Sequence, residues 1–196
     1  DMVLDASENW ASTSNNFRFM RNIVQHEHGH GFGLNHVCSS NSSQLMEPYL
    51  NTSFDGPQHD DVRGGDYFYG DPQEPNNNVA TADDQGTLAV PSSTVIGADP
   101  QGVSNVARRA ISQAGDIDLI KFTVGGPAYV GFVLAPRGYT YVDVSQSNCN
   151  GTATTNSLAA ANMNLEILAS NGTTVLASAN SSAAGVNETV SNLALQ

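Results

Sequence analysis

Positive charge is scarce in this chain: 7 Lys and Arg stand against 19 Asp and Glu, a formal net charge of -12 over 196 residues. So acidic a surface has little to offer the phosphates of nucleic acid or an anionic membrane, and neither is expected as a partner. Also lacking are any apolar run of eighteen residues and any basic stretch leading into a short apolar one. The sequence therefore shows neither a membrane span nor a signal peptide. Cysteines number two, Cys38 and Cys149, and fall in different proposed domains. A disulfide between them requires Cα atoms within about 7 Å, and two unpaired thiols, or partners elsewhere, are the alternatives. Asn, Ser, Thr, Gly and Ala dominate the remainder, a composition suited to an extracellular setting. The N-x-S/T sequons at Asn41, Asn51, Asn150, Asn171, Asn180 and Asn187 are expected by chance in so Asn- and Ser-rich a chain.

What is there is concentrated in residues 26 to 36, H-E-H-G-H-G-F-G-L-N-H. At about 100° per residue, His26 and His30 project from one helix face, close enough for both imidazoles to reach one ion. Glu27 points to the side of that face, where its carboxylate can take a proton from water held at the metal without ligating it, as a general base. Gly33 permits the left-handed turn that ends the helix and returns His36 as a third ligand. Three protein ligands leave a fourth position open, the arrangement of catalytic rather than structural zinc. His28 sits about 200° round from His26, so it is read as a surface histidine or one that supports a ligand. A bare H-E-x-x-H arises by chance on exposed helices; Gly33, His36 and the later Met46 in L-M-E-P make chance a poor account of this one.

The run Ser12, Thr13, Ser14, Asn15, Asn16 offers capping side chains, and Phe17, Met20, Ile23 and Val24 recur at helical spacing. An amphipathic helix carrying the ligands is predicted. Gly29 and Gly31 each cost such a helix about 1 kcal/mol relative to alanine, which predicts another backbone packed closely against it.

Together these residues resemble the metzincin signature H-E-x-x-H-x-x-G-x-x-H with its Met-turn. Three segments narrow the resemblance to the matrixins: D-M-V-L-D-A-S-E-N-W at 1–10, the zinc motif with L-M-E-P, and H-D-D-V-R-G-G-D-Y-F-Y-G at 59–70. Pro48, two places after Met46, matches the matrixin turn, and Tyr49 is one residue too late for the tyrosine ligand of astacins and serralysins. The resemblance implies that Met46 forms an apolar base beneath the zinc and that Asp60 and Asp61 are structural candidates for supporting the floor of the site. A matrixin domain carries a twisted sheet and another helix ahead of this point, whereas only 25 residues precede His26. The expectation is a fragment of a longer polypeptide, the rest of the catalytic domain lying elsewhere, because some seventy residues bury only a small core.

Residues 71–78, D-P-Q-E-P-N-N-N, read as an extended linker. Beyond it, D-L-I-K-F-T-V, A-Y-V-G-F-V-L, Y-T-Y-V-D-V, M-N-L-E-I-L and T-T-V-L-A-S read as strands; V-S-N-V-A-R-R-A-I-S is ambiguous. Breaks fall at Gly125-Gly126-Pro127, Pro136-Arg137-Gly138 and Asn171-Gly172. Regularly spaced short strands predict an antiparallel β-sandwich over 79–196. Its G-D-I-D-L-I-K-F-T-V at 115–124, M-N-L-E-I-L-A-S-N-G-T-T-V-L-A-S at 163–178 and V-N-E-T-V resemble the pre-peptidase C-terminal domain, a jelly-roll-like module beside bacterial proteases, with its final strand expected beyond Gln196. Asp116 and Asp118 are candidate calcium ligands, although carboxylates at i and i+2 on a strand edge are more often solvated.

The sequence thus predicts an α+β metzincin catalytic fragment over 1–70 (zinc helix, Met-turn, closing helix), followed by an all-β sandwich. The expected function is a secreted zinc endopeptidase acting on protein or peptide substrates: metal ligands His26, His30 and His36, base Glu27, structural residues Gly33, Met46, Pro48, Asp60 and Asp61. The alternative is a non-catalytic extracellular binding or assembly protein that keeps a zincin fold and uses its β-sandwich as the interaction module.

Overall fold

The computed structural model describes residues 2–38, 43–97 and 109–196. Most of V-S-N-V-A-R-R-A-I-S, and the sequon at Asn41, lie outside them. No helix among the described residues is long and apolar enough to cross a membrane. The chain divides into two compact units, Asp1–Tyr69 with Tyr141–Thr155, and Gly70–Thr140 with Asn156–Gln196. The first is discontinuous, which differs from the contiguous 1–70 expected: a stretch assigned by its alternating pattern to the β part belongs here with the zinc motif.

In the first unit, helix α1 spans Arg18–Gly31 and α2 spans His59–Tyr69. The Ser/Asn run does not cap α1 with a side chain. Instead Asn15, Asn16 and Phe17 take consecutive left-handed conformations (φ 50, 55 and 59°) and the helix starts at Arg18. Asparagine tolerates that region because its short side chain bonds locally; Phe17, at the end of the turn, is exposed rather than part of the apolar stripe. Asn22, wholly buried in mid-helix, fastens α1 to the loop that follows the Met-turn. Its Nδ2 donates to the carbonyls of Asn51 (2.9 Å) and Phe54 (3.0 Å), and its Oδ1 accepts from Gly56 N–H (2.9 Å). The buried apolar residues here are Cys38, Leu45, Met46, Tyr141 and Val144.

Cys38 and Cys149 form a disulfide with Cα atoms 4.9 Å apart. The two cysteines do not lie in separate domains, contrary to the expectation from their spacing along the chain: both belong to the first unit, which brings them together across 111 residues. Around the bridge, Cys38 N–H donates to the Val144 carbonyl (2.8 Å) and Val37 pairs with Ser145 as an antiparallel bridge.

Among the described residues, eight short strands follow α2: β1 Asp83–Leu88, β2 Ile120–Val124, β3 Ala128–Leu134, β4 Thr140–Val142, β5 Thr154–Asn156, β6 Leu165–Leu168, β7 Val175–Ala179 and β8 Glu188–Leu195. The five predicted strand runs each carry one of them. They pair two by two, β1–β2, β3–β8, β4–β5 and β6–β7, rather than as two stacked multistranded sheets. The β1–β2 pair is parallel, with Asp83 opposite Ile120 and Leu88 opposite Val124, and β3–β8 and β6–β7 are antiparallel. On β3 the alternation predicted from sequence is visible: Val130, Phe132 and Leu134 turn inward and Tyr129 and Val133 outward. Asn171-Gly172 forms the β6–β7 turn, Asn171 Oδ1 accepting the N–H groups of Thr173 and Thr174 at 3.0 Å.

Residues 71–78 are not a free tether. Asp71 and Asn76 are among the most buried polar residues, Asp71 Oδ2 accepting from Ala110 N–H (2.7 Å) and Asn76 bonding to Asp118. Composition suggested an extended linker because every side chain is polar or proline; hydrogen bonds inside the second unit fold it instead.

Candidate metal centre

Helix α1 carries His26 and His30 one turn apart, and what brings His36 to them is the way the helix stops. Gly33 takes φ 90°. Leu34 N–H then reaches the Gly29 carbonyl (3.0 Å) and Gly33 N–H the His30 carbonyl (3.0 Å), the paired bonds of a Schellman turn. His26 Nε2 and His30 Nε2 each lie 3.1 Å from His36 Nε2. Two imidazole nitrogens on a tetrahedral zinc with bonds of about 2.0–2.1 Å stand about 3.3 Å apart, so both spacings to His36 suit that ion.

Each ring is turned by an oxygen at its other nitrogen. His26 Nδ1 lies 2.7 Å from the Leu45 carbonyl, His30 Nδ1 2.9 Å from the Leu34 carbonyl, and His36 Nδ1 2.9 Å from Gln146 Oε1. A carbonyl oxygen can only accept, so Nδ1 carries the proton and donates it. The lone pair is left on Nε2, facing the shared point. Three neutral imidazoles with converging lone pairs are a donor set that zinc accepts.

Met46, 2 % exposed, lies under α1 against Gly29. Gly29 therefore makes room for a side chain, not for the second backbone expected, and nothing stands within 4 Å of the Cβ position at Gly31. The two glycines should respond oppositely to alanine. Gly31→Ala gains helix propensity and is expected to stabilise by about 0.5–1 kcal/mol. Gly29→Ala drives a methyl into the sulfur of the buried Met46, which must repack to make room, an overpacking cost of about 1–3 kcal/mol that is expected to exceed the propensity gain. Urea denaturation of the two variants checks this; shifts of the same sign would refute it.

Asp61 holds the Met-turn. Its carboxylate accepts from Leu45 N–H and Met46 N–H, both at 3.0 Å, and reaches back to Gln58 N–H at 2.7 Å ahead of α2. Burial raises the Asp61 carboxyl above its usual range, and those three N–H groups oppose the shift. Asp60, its neighbour, does not reach the Met-turn backbone; its interactions run to Tyr141, Asp143 and Arg63, and burial again raises its pKa. Pro48 is half-buried in the turn after Met46, and Tyr49 is exposed. Glu27 is exposed and lines a groove of about 350 Å³ with Leu4, Trp10 and Ile23. His28 is exposed and outside the histidine cluster. A second cleft, about 320 Å³, is lined by His36, Val37, Met46, Phe68 and Val144.

Two residues escaped the sequence reading. Asn22 carried a faint signal, being a polar residue one turn before His26 on the same face. Gln146 carried none, since 110 residues separate it from the histidine it orients.

No curated protein and no solved structure matches the chain. Residues 1–70 match the Matrixin family, Peptidase_M10. That match covers α1, the three histidines, the Met-turn and α2, and over these residues the chain is similar to the matrixin metallopeptidases.

Proposed function

We propose that this chain is the zinc-binding part of a secreted endopeptidase that hydrolyses peptide bonds in proteins or peptides. The observation that carries the reading is the convergence of three Nε2 atoms, each ring fixed by an oxygen at Nδ1. His26, His30 and His36 would hold the ion. When bound, zinc supplies a Lewis acid that polarises a carbonyl and lowers the pKa of water to about 7. Glu27, exposed beside His26, is free to take a proton from the attacking water and return it to the departing amine. Met46 and Asp61 shape the floor and keep the rings in register, and the β-rich unit is an appended module. Supporting a secreted setting are the disulfide, which persists in oxidising compartments, and the acidic, Asn- and Ser-rich composition.

The test is metal removal. The full-length polypeptide containing this chain should cleave casein or gelatin, bind one zinc through the histidines, lose cleavage with a chelator and regain it when zinc is restored. Zinc bound one to one without cleavage, or cleavage indifferent to the chelator, would sink the enzyme reading and favour the binding-protein alternative.

A further inference from the structure

His26 and His30 are oriented by backbone carbonyls, those of Leu45 and Leu34, whereas His36 is oriented by a side chain, Gln146 Oε1 at 2.9 Å. A backbone carbonyl is fixed by the fold. An amide at the end of a flexible side chain is fixed only where the segment that carries it is held. Gln146 is exposed, and among the described residues its side chain makes no hydrogen bond other than this one. Its position therefore depends on what holds residues 144–149.

On one side of Gln146 the ties are backbone bonds. Cys38 N–H donates to the Val144 carbonyl (2.8 Å), and Val37 pairs with Ser145 as an isolated bridge. On the other side the tie is covalent: Cys149 is joined to Cys38, and its Sγ lies 3.3 Å from the Gln146 carbonyl. Beyond the bridge the next backbone bond is at Ala153, whose carbonyl accepts from Asp143 N–H (2.9 Å). Gln146 thus opens a single 3-10 turn, Gln146–Asn148, pinned at both ends to residues that follow His36 directly. Cys38 is buried but Cys149 is exposed, so a reductant in solution can reach one sulfur of the bridge.

We infer that Gln146 is a positioning residue for the ligand His36 and that the Cys38–Cys149 bridge keeps it there, so the chain holds zinc tightly only while the bridge is oxidised. The inference rests on the proposed zinc reading of the three histidines and not on cleavage. Opening the bridge takes two electrons and two protons and leaves two thiols. A dithiol supplies both and becomes a disulfide; a phosphine supplies the electrons and takes the oxygen of water, whose protons go to the sulfurs. Residues 146–149 are then no longer tied to Cys38, and His36 Nδ1–H loses its acceptor. The ring is free to turn or to take the other tautomer, which presents an N–H instead of a lone pair at Nε2. His26 and His30 keep their carbonyls, so the site weakens without vanishing.

Zinc affinity of the full-length polypeptide containing this chain, read by competition with a chromophoric chelator, tests this without a cleavage assay. Gln146→Ala should weaken zinc about 10–100-fold, the usual effect of removing a ligand's hydrogen-bond partner, and Gln146→Glu, which keeps an acceptor, should restore the hold. The double variant Cys38→Ser/Cys149→Ser opens the bridge without offering thiolates to the metal, and should weaken zinc about tenfold or more. Added to Gln146→Ala, the same pair should cost no more than about a further twofold, because the bridge acts through the amide. If the serine pair does not fold, phosphine reduction of the folded, zinc-loaded chain decides: zinc should pass to the chelator faster than from the oxidised chain, with no such acceleration in Gln146→Ala. Affinity unchanged by opening the bridge, or losses from the bridge and from Gln146→Ala that multiply, overturns the inference and leaves the zinc centre standing. A chain that binds no zinc at all overturns the metal-centre reading, and this inference with it.

Discussion

Replacing Glu27 with alanine should leave zinc bound at one ion per chain and slow peptide hydrolysis about 10²–10⁴-fold, the usual contribution of a positioned acid–base group. Retention of metal follows from the structure: the converging ligand set is His26, His30 and His36, and each ring is oriented by Leu45, Leu34 or Gln146, never by Glu27. The loss of rate follows from placement. Glu27 follows the ligand His26 directly on helix α1 and is exposed to solvent. Glu27→Gln keeps the shape and removes the basicity, so it should lose nearly as much as alanine, whereas Glu27→Asp should retain part. The measurement is kcat on a gelatin or casein substrate with zinc content determined on the same samples. Full activity in the zinc-loaded alanine variant would remove Glu27 from the chemistry.

The other large effect concerns stability. Asp61→Ala strips the acceptor from three backbone N–H groups at once, two of them in the buried Met-turn. An unpaired buried donor costs about 1–3 kcal/mol, and after partial relaxation about 3–5 kcal/mol is expected in total. Set against a typical stability of about 5–15 kcal/mol, that is enough to leave the chain partly unfolded at 37 °C. The damage should also travel: the Leu45 carbonyl orients His26, so a Met-turn that shifts weakens zinc as well. Asp60→Ala is the comparison, since Asp60 makes no bond to that backbone, and its effect should stay near 1 kcal/mol. Denaturant unfolding with zinc chelated separates the fold from the metal. Equal midpoints for Asp61→Ala and Asp60→Ala would show that the carboxylate does not hold the turn.

What the sequence disclosed depended on distance along the chain. His26, His30, Gly33 and His36 lie within eleven residues and are read from helix geometry. Met46, Asp60 and Asp61 lie within 35 residues of His26 and came with the family resemblance, although only the structure tells Asp61, on the Met-turn, from Asp60, on Tyr141. Strands β2, β3, β6 and β7 betray themselves by alternation. Their partners do not, because periodicity states which residues face inward and is silent about which edges meet; the parallel β1–β2 pairing had no signal. Segment 71–78 misled for a related reason: it is held by polar groups rather than by an apolar face, so nothing periodic marks it as folded.

The discontinuity of the first unit orders events in time. At synthesis rates of about 5–20 residues per second, roughly 5–20 s pass between the emergence of His36 and that of Gln146. In that interval His26 and His30 already have the carbonyls that orient them, while His36 lacks the amide oxygen that turns its ring and Cys38 has no Cys149 to pair with. The nascent chain therefore passes through a stage in which the third histidine is present but not yet oriented, and the full set of ring contacts forms only after Gln146 emerges.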